Sequence, residues 1–193
     1  MTPPPEVFIS GAVEGLVDEA VANRLVRHVR AETASVYVSY GKDRLRDSAP
    51  GYNNAARFSP SLVLVDLDRD ADCAPPFVRT WLPLPSPRMC FRVAVRAIEA
   101  WLMADSERLA SFLRVPPRDV PPDPESLRDP KRAMVDLARR SRRQEIRADM
   151  LPRPRSGRAA PPTHPGWSSL PPTNGTAGAR RWPPAPRIVS PDA

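Results

Sequence analysis

The chain has 193 residues, 27 prolines, two cysteines, two histidines and a formal net charge of +7, enough length for one ordinary domain with a real core and a surplus. Cys73 and Cys90 form no CxxC pair, which excludes a disulfide framework and a conventional zinc site. No cationic leader or long apolar run marks a secretory or membrane segment, so a cytoplasmic protein with no membrane partner is expected.

After a proline-rich leader, residues 7–13 read as a buried strand, and residues 17–31 repeat apolar side chains at helical spacing (Val17, Val21, Leu25, Val29) with Asp18 and Glu19 in the favoured first turn. Residues 35–40 alternate as a second strand, 41–51 read as a charged loop, and 52–57 as a short helix. The run Leu62-Val63-Leu64-Val65 belongs to a central strand over 61–65, followed by a helical piece at 77–82 and a strand at 89–95. Residues 97–113 form an amphipathic helix, 115–130 a proline-rich acidic connection, and 131–150 a helix carrying Arg139, Arg140, Arg142, Arg143 and Arg147. Strands alternating with helices predict an α/β fold with a largely parallel sheet covered on both faces. From residue 152 onward aliphatic residues nearly vanish; six arginines against Asp192 alone give this stretch a net +5 and leave +2 for the rest. The expected division is a domain over 5–150 and a disordered tail over 151–193, whose composition suits a GC-rich frame read out of phase from about residue 158.

The candidate chemistry lies where apolar strands end. Asp66 and Asp68 are two residues apart, and on an extended strand both project to one side. Two hard oxygen donors on one face suit Mg²⁺ or Mn²⁺. Glu14, just past the first strand, can add a proton-transfer group or a further ligand at the same edge, because ligands of open α/β sheets bind beyond the strands' carboxyl ends. Glu99, opening a helix, is either a further metal carboxylate or an acid favoured by the helix dipole. Lys42, Arg44 and Lys131 are phosphate-binding candidates, and Arg139 to Arg147 can form a basic face tracking a nucleic-acid backbone. The run Asp66, Asp68, Asp70, Asp72 imitates a calcium loop, but Ala71 stands where the turn needs glycine and Phe77 where it needs glutamate. A phosphatase of the haloacid-dehalogenase type also uses Asp-x-Asp after a strand, ordinarily its first.

Glu14-Gly15 and Asp66-Leu67-Asp68 resemble the two acidic motifs of TOPRIM domains, found in topoisomerases, primases and nucleases related to the overcoming-lysogenization-defect proteins. More closely, residues 5–158 resemble the bacterial domain-of-unknown-function 4276 family through Val13-Glu14-Gly15, Tyr40-Gly41-Lys42, Gly51-Tyr52-Asn53, Leu64-Val65-Asp66-Leu67-Asp68, Glu99-Ala100-Trp101-Leu102-Met103-Ala104-Asp105 and Asp129-Pro130-Lys131. After Arg158 the sequence departs from that family. The resemblance implies a three-layer TOPRIM-like, Rossmann-like domain with Mg²⁺-dependent nuclease or related phosphoryl-transfer activity. Asp66 and Asp68 would hold the metal and Glu14 would transfer a proton. It also implies a bacterial defence or mobile-element setting, a nucleic-acid substrate and an ATPase partner protein. The alternative is a non-catalytic nucleic-acid or protein-binding module that keeps the acids as relics.

Overall fold

The structure is a computed structural model, and it describes residues 7–151. The expectations of a disordered tail and of a frame change fall outside those residues.

Four short apolar runs form the strands β1 (Phe8–Val13), β2 (Glu32–Val38), β3 (Ser61–Asp66) and β4 (Met89–Ala94). They pair in the order β2-β1-β3-β4, every pair parallel. β3 is buried along its whole length, as expected of an inner strand of a parallel sheet covered on both faces. The β1–β2 ladder carries a one-residue irregularity between Ile9 and Ser10, and a Cβ on Gly11 would come within 3.1 Å of Val36 Cγ2.

Alternation along the strands sorts the core into two layers. Val13, Leu62 and Leu64 face α1 (Leu16–His28) and α4 (Ile98–Met103), packing with Ala22, Val26 and Ile98. Ala12, Val63 and Val65 face α2 (Lys42–Ala55) and α3 (Ala74–Trp81), packing with Leu45, Ala49, Phe77 and Trp81. The result is a three-layer, Rossmann-like α/β fold. A third apolar cluster joins Met103 to α5 (Ser106–Leu113), α6 (Pro130–Arg139) and α7 (Gln144–Met150) through Leu109, Leu113, Met134, Leu137 and Ile146. Two single 3-10 turns, Pro117–Asp119 and Pro124–Ser126, occupy the proline-rich connection.

Three expectations need correction. The charged loop over 41–51 and the short helix after it are one helix, α2, whose buried Leu45 and Ala49 and half-buried Tyr52 lie on one face at helical spacing. Pro50 and Gly51 disguise it, since both ordinarily interrupt a helix interior. The helix expected over 97–113 is broken at Ala104–Asp105, where Asp105 turns from helical residue to cap and accepts a hydrogen bond from Arg108 N at 3.3 Å. The helix expected over 131–150 is likewise two, α6 and α7, so its arginines do not share one helix face. Several are engaged locally: Arg139 with Asp136 at 2.7 Å, Arg140 with Asp119 at 3.9 Å, and Arg147 with the Ser141 carbonyl.

Candidate metal centre

In the order β2-β1-β3-β4 the chain leaves β1 toward one side of the sheet and enters β3 on the other, so the switch point lies between β1 and β3. Helices on opposite faces diverge there and open a crevice beyond the strands' carboxyl ends. Glu14 follows the last residue of β1, Asp66 is the last of β3, and Asp68 follows two residues on. One carboxylate oxygen from each of the three lies within 4.8 Å of the others. The strands therefore bring together residues 14, 66 and 68, as the sequence predicts, but not by strand alternation. β3 ends at Asp66, and Asp68 has a left-handed φ of +49°, so a turn supplies the second aspartate.

Each acid has its own surroundings. Asp66 is 1% exposed. Its Oδ1 accepts from the Ile98 N–H at the start of α4 (2.8 Å), and its Oδ2 lies 2.9 Å from Lys131 Nζ. Asp68 is far more open, and its Oδ2 takes the Lys42 ammonium at 2.5 Å, shared with Asp70 at 2.7 Å. Lys131 also lies 4.0 Å from Asp68 Oδ1. Glu14 is half-buried, and its Oε2 is enclosed with no hydrogen-bond partner among the described residues. Burial raises the Glu14 carboxyl above its ordinary value; Lys131 opposes this and Asp66 adds to it.

Behind this trio lies a second, deeper set. Glu99, at the second position of α4, is 8% exposed, and its Oε2 also lacks a hydrogen-bond partner among the described residues. Burial, then the charge of Asp66, pushes its carboxyl up to about 7. Asp18 is the residue the sequence reading did not single out. It is buried, burial and then Asp66 raise it to about 7, and its Oδ2 accepts from Gly15 N at 2.7 Å, closing the start of α1. The signal was the register of α1. Its buried line is Asp18, Ala22 and Val26, one residue out of step with the apolar row Val17, Val21, Leu25 and Val29, whose last member is well exposed.

The basic candidates separate. Lys42 stands first in α2 because Tyr40 (φ +53°) and Gly41 (φ +135°) turn the chain sharply there, and the second of these backbone shapes is one that side chains strongly disfavour. Burial pulls the Lys42 ammonium down, but its hydrogen bonds to Asp68 and Asp70 outweigh that and its pKa ends raised. Lys131 follows Pro130 in the first turn of α6, capped by Asp129, which accepts from Arg132 N at 2.9 Å. Its pKa is also raised, the Asp66 carboxylate overcoming the burial that opposes it. Arg44 does not join the centre. It is exposed on α2 with no ion pair or hydrogen bond among the described residues.

The motif Gly51-Tyr52-Asn53 proves structural at its asparagine. Asn53 donates to the Leu84 carbonyl at 2.9 Å and accepts from Ser86 N at 2.7 Å, tying α2 to the turn before β4.

An open cleft of about 740 Å³ begins at Asp68 and Lys131 and runs between the turn after β3, the segment after β4 and the approach to α6. Arg69, Arg96 and Arg128 line it together with Asp72 and Glu125. Three carboxylate oxygens this close form a donor set able to hold a metal ion, and one of the three acids, Glu14, has an enclosed oxygen with no hydrogen-bond partner among the described residues. No helix among the described residues is long and apolar enough to cross a membrane. No protein-family model, curated protein or solved structure matches the chain.

Proposed function

We propose that the protein is a Mg²⁺- or Mn²⁺-dependent nuclease or related phosphoryl-transfer enzyme on a TOPRIM-like domain of the kind the domain-of-unknown-function 4276 family represents. One observation carries this reading: Glu14, Asp66 and Asp68 converge within 4.8 Å at the switch point of a parallel sheet, where such folds bind ligands. The all-oxygen donor set suits a hard cation and offers nothing to a soft one. Asp66 and Asp68 would hold the cation, with the buried Glu99 carboxyl as a further candidate ligand. Once bound, it would polarise a phosphoryl oxygen and stabilise the charge developing there.

The remaining work falls to the chain's own side chains. Glu14, its carboxyl raised by burial, is suited to take a proton from an attacking water or return one to a leaving oxygen. Lys42 and Lys131 bring positive charge to the edge a phosphate would approach. A nucleic-acid substrate and an ATPase partner protein belong to this proposal through the resemblance alone.

A second reading has its own observation. Lys131 and Lys42 already form ion pairs with Asp66, Asp68 and Asp70, which would suit a binding module that needs no metal. Calorimetric titration with Mg²⁺ and Mn²⁺, beside a divalent-dependent cleavage assay on DNA and RNA, separates the two. Metal binding with cleavage supports the enzyme; neither one leaves the binding module.

A further inference from the structure

Of the charged residues lining the cleft beside the acidic centre, Asp68 and Asp70 are held by Lys42, Lys131 by Asp66, Arg96 by the Asp68 carbonyl, to which it donates at 3.0 Å, and Asp129 by its capping bond from Arg132 N. Arg69 and Arg128 differ. Both are exposed, both line the cleft, and neither has an ion pair or hydrogen bond among the described residues. Asp72 and Glu125 line the same cleft and are equally uncommitted.

We propose that this cleft is a nucleotide-binding site, in which Arg69 and Arg128 take one phosphate and Asp72 and Glu125 take hydroxyl or amino donors of the attached nucleoside. The proposal rests on the reading of the acidic edge as a phosphoryl-transfer centre, and it narrows the substrate to a single nucleotide unit, free or at the end of a strand. Guanidiniums match phosphate oxygens in bidentate geometry. Carboxylates accept from ribose hydroxyls, as dinucleotide sites illustrate. A cleft of this size is ordinary for one small ligand. The mixed charge is the discriminating feature. An extended polyanion would set its further phosphates against Asp72 and Glu125, whereas one phosphate flanked by neutral donors meets less repulsion, since Asp68 and Asp70 beside Arg69 are already paired with Lys42. The cleft also starts at Asp68 and Lys131, so a nucleotide seated in it lies next to the acidic centre.

The test is calorimetric binding of adenosine 5′-monophosphate, a short single-stranded RNA and a duplex DNA to the full chain in EDTA, so that metal binding does not enter. The expected order is monophosphate or strand end ahead of duplex. Arg69→Ala and Arg128→Ala should each weaken the monophosphate by about tenfold, the scale of one charge-assisted hydrogen bond, while Arg24→Ala on α1 leaves it unchanged. The double variant Asp72→Asn, Glu125→Gln should weaken the monophosphate and tighten the duplex. The monophosphate identifies a free nucleotide, and its failure beside RNA binding that depends on both arginines identifies a strand end; either supports the site. Binding that ignores both arginines, or a duplex that outbinds the other two in the unaltered protein, overturns it. Metal titration of the same samples without EDTA reports separately on the acidic centre, so the two readings fail independently.

Discussion

The carboxylates at the head of the sheet form two rows with opposite solutions to the same problem. The inner row, Asp18, Asp66 and Glu99, is almost wholly buried, whereas the outer pair, Asp68 and Asp70, has side chains 40% and 46% exposed. The outer pair shares the Lys42 ammonium at an exposed edge. Of the inner row only Asp66 has a cationic partner among the described residues, Lys131, while burial drives Asp18 and Glu99 toward neutrality. One residue chemistry thus meets a lysine or the open edge in one row, and in the other burial raises the carboxyls that have no cationic partner among the described residues. Glu14 is half-buried, with an oxygen that has no hydrogen-bond partner among the described residues, a setting consistent with the proton transfer proposed for it.

That contrast makes its largest prediction at Glu14. Glu14→Gln should lower turnover on a nucleic-acid or nucleotide substrate by about 10²- to 10⁴-fold, the usual worth of general acid–base help, while the Asp pair still binds metal. Equal rates for variant and wild type would reduce Glu14 to a strand-end acid. The Asp pair should divide by row. Asp66→Asn keeps the acceptor for Ile98 N–H but removes the most enclosed charge, and it should cost more Mg²⁺ affinity than Asp68→Asn, about 100-fold or beyond against roughly tenfold. Calorimetry of both variants checks the order; a larger loss at Asp68 would put the cation in the outer row.

What could be read from the sequence follows from how local each signal is. β3 and its acidic end stand out because an inner parallel strand is a continuous apolar run, and its final aspartate marks where that run meets the crevice. The helix α2 was hidden because Pro50 and Gly51 contradict it locally, while the burial of Leu45 and Ala49 against β3 and its neighbours decides the matter. Asp18 escaped because a first-turn acid is ordinary, and only the register of α1 against the sheet turns it inward. Arg69 and Arg128 are far apart in the chain and sit outside helices and strands, so nothing in their spacing foretells one cleft. Topology, not pattern, joins them.

A smaller effect tests the inner row by stability. The Asp18 carboxyl lies at about 7 in the folded protein against 3.8 ordinarily, so the fold holds its proton more tightly than the unfolded chain does. The stability this provides is fully present below pH 3.8 and is lost as pH rises through 7. Between pH 5 and 8 the loss is about 2–3 kcal/mol. Asp18→Asn cannot ionise and keeps an acceptor for Gly15 N, so its urea midpoint should fall less over that interval than the wild type's. Glu99, raised to about 7 from 4.5, supplies the remaining slope in the same window. Parallel pH profiles for the two proteins would mean that Asp18 does not carry the inner row's proton.

The smallest effect expected lies where the rows meet, at Lys131. Its ammonium is 2.9 Å from Asp66 Oδ2 and 4.0 Å from Asp68 Oδ1, so it draws on the same two carboxylates that would hold a divalent cation. Two cations cannot use one lone pair equally well, and each must weaken the other's hold. The Lys131 side chain is half exposed, which limits the pair to roughly 1 kcal/mol. Lys131→Gln should therefore tighten Mg²⁺ by about five- to tenfold, in contrast to Asp66→Asn and Asp68→Asn. Without divalent ions the same substitution should lower the urea midpoint, because Asp66 stays buried without its partner, and added Mg²⁺ should restore more stability to the variant than to the wild type. Weaker Mg²⁺ binding in Lys131→Gln would mean that the lysine holds Asp66 and Asp68 in a metal-ready arrangement instead of competing for them, and the inner row would then depend on Lys131 for geometry as much as for charge.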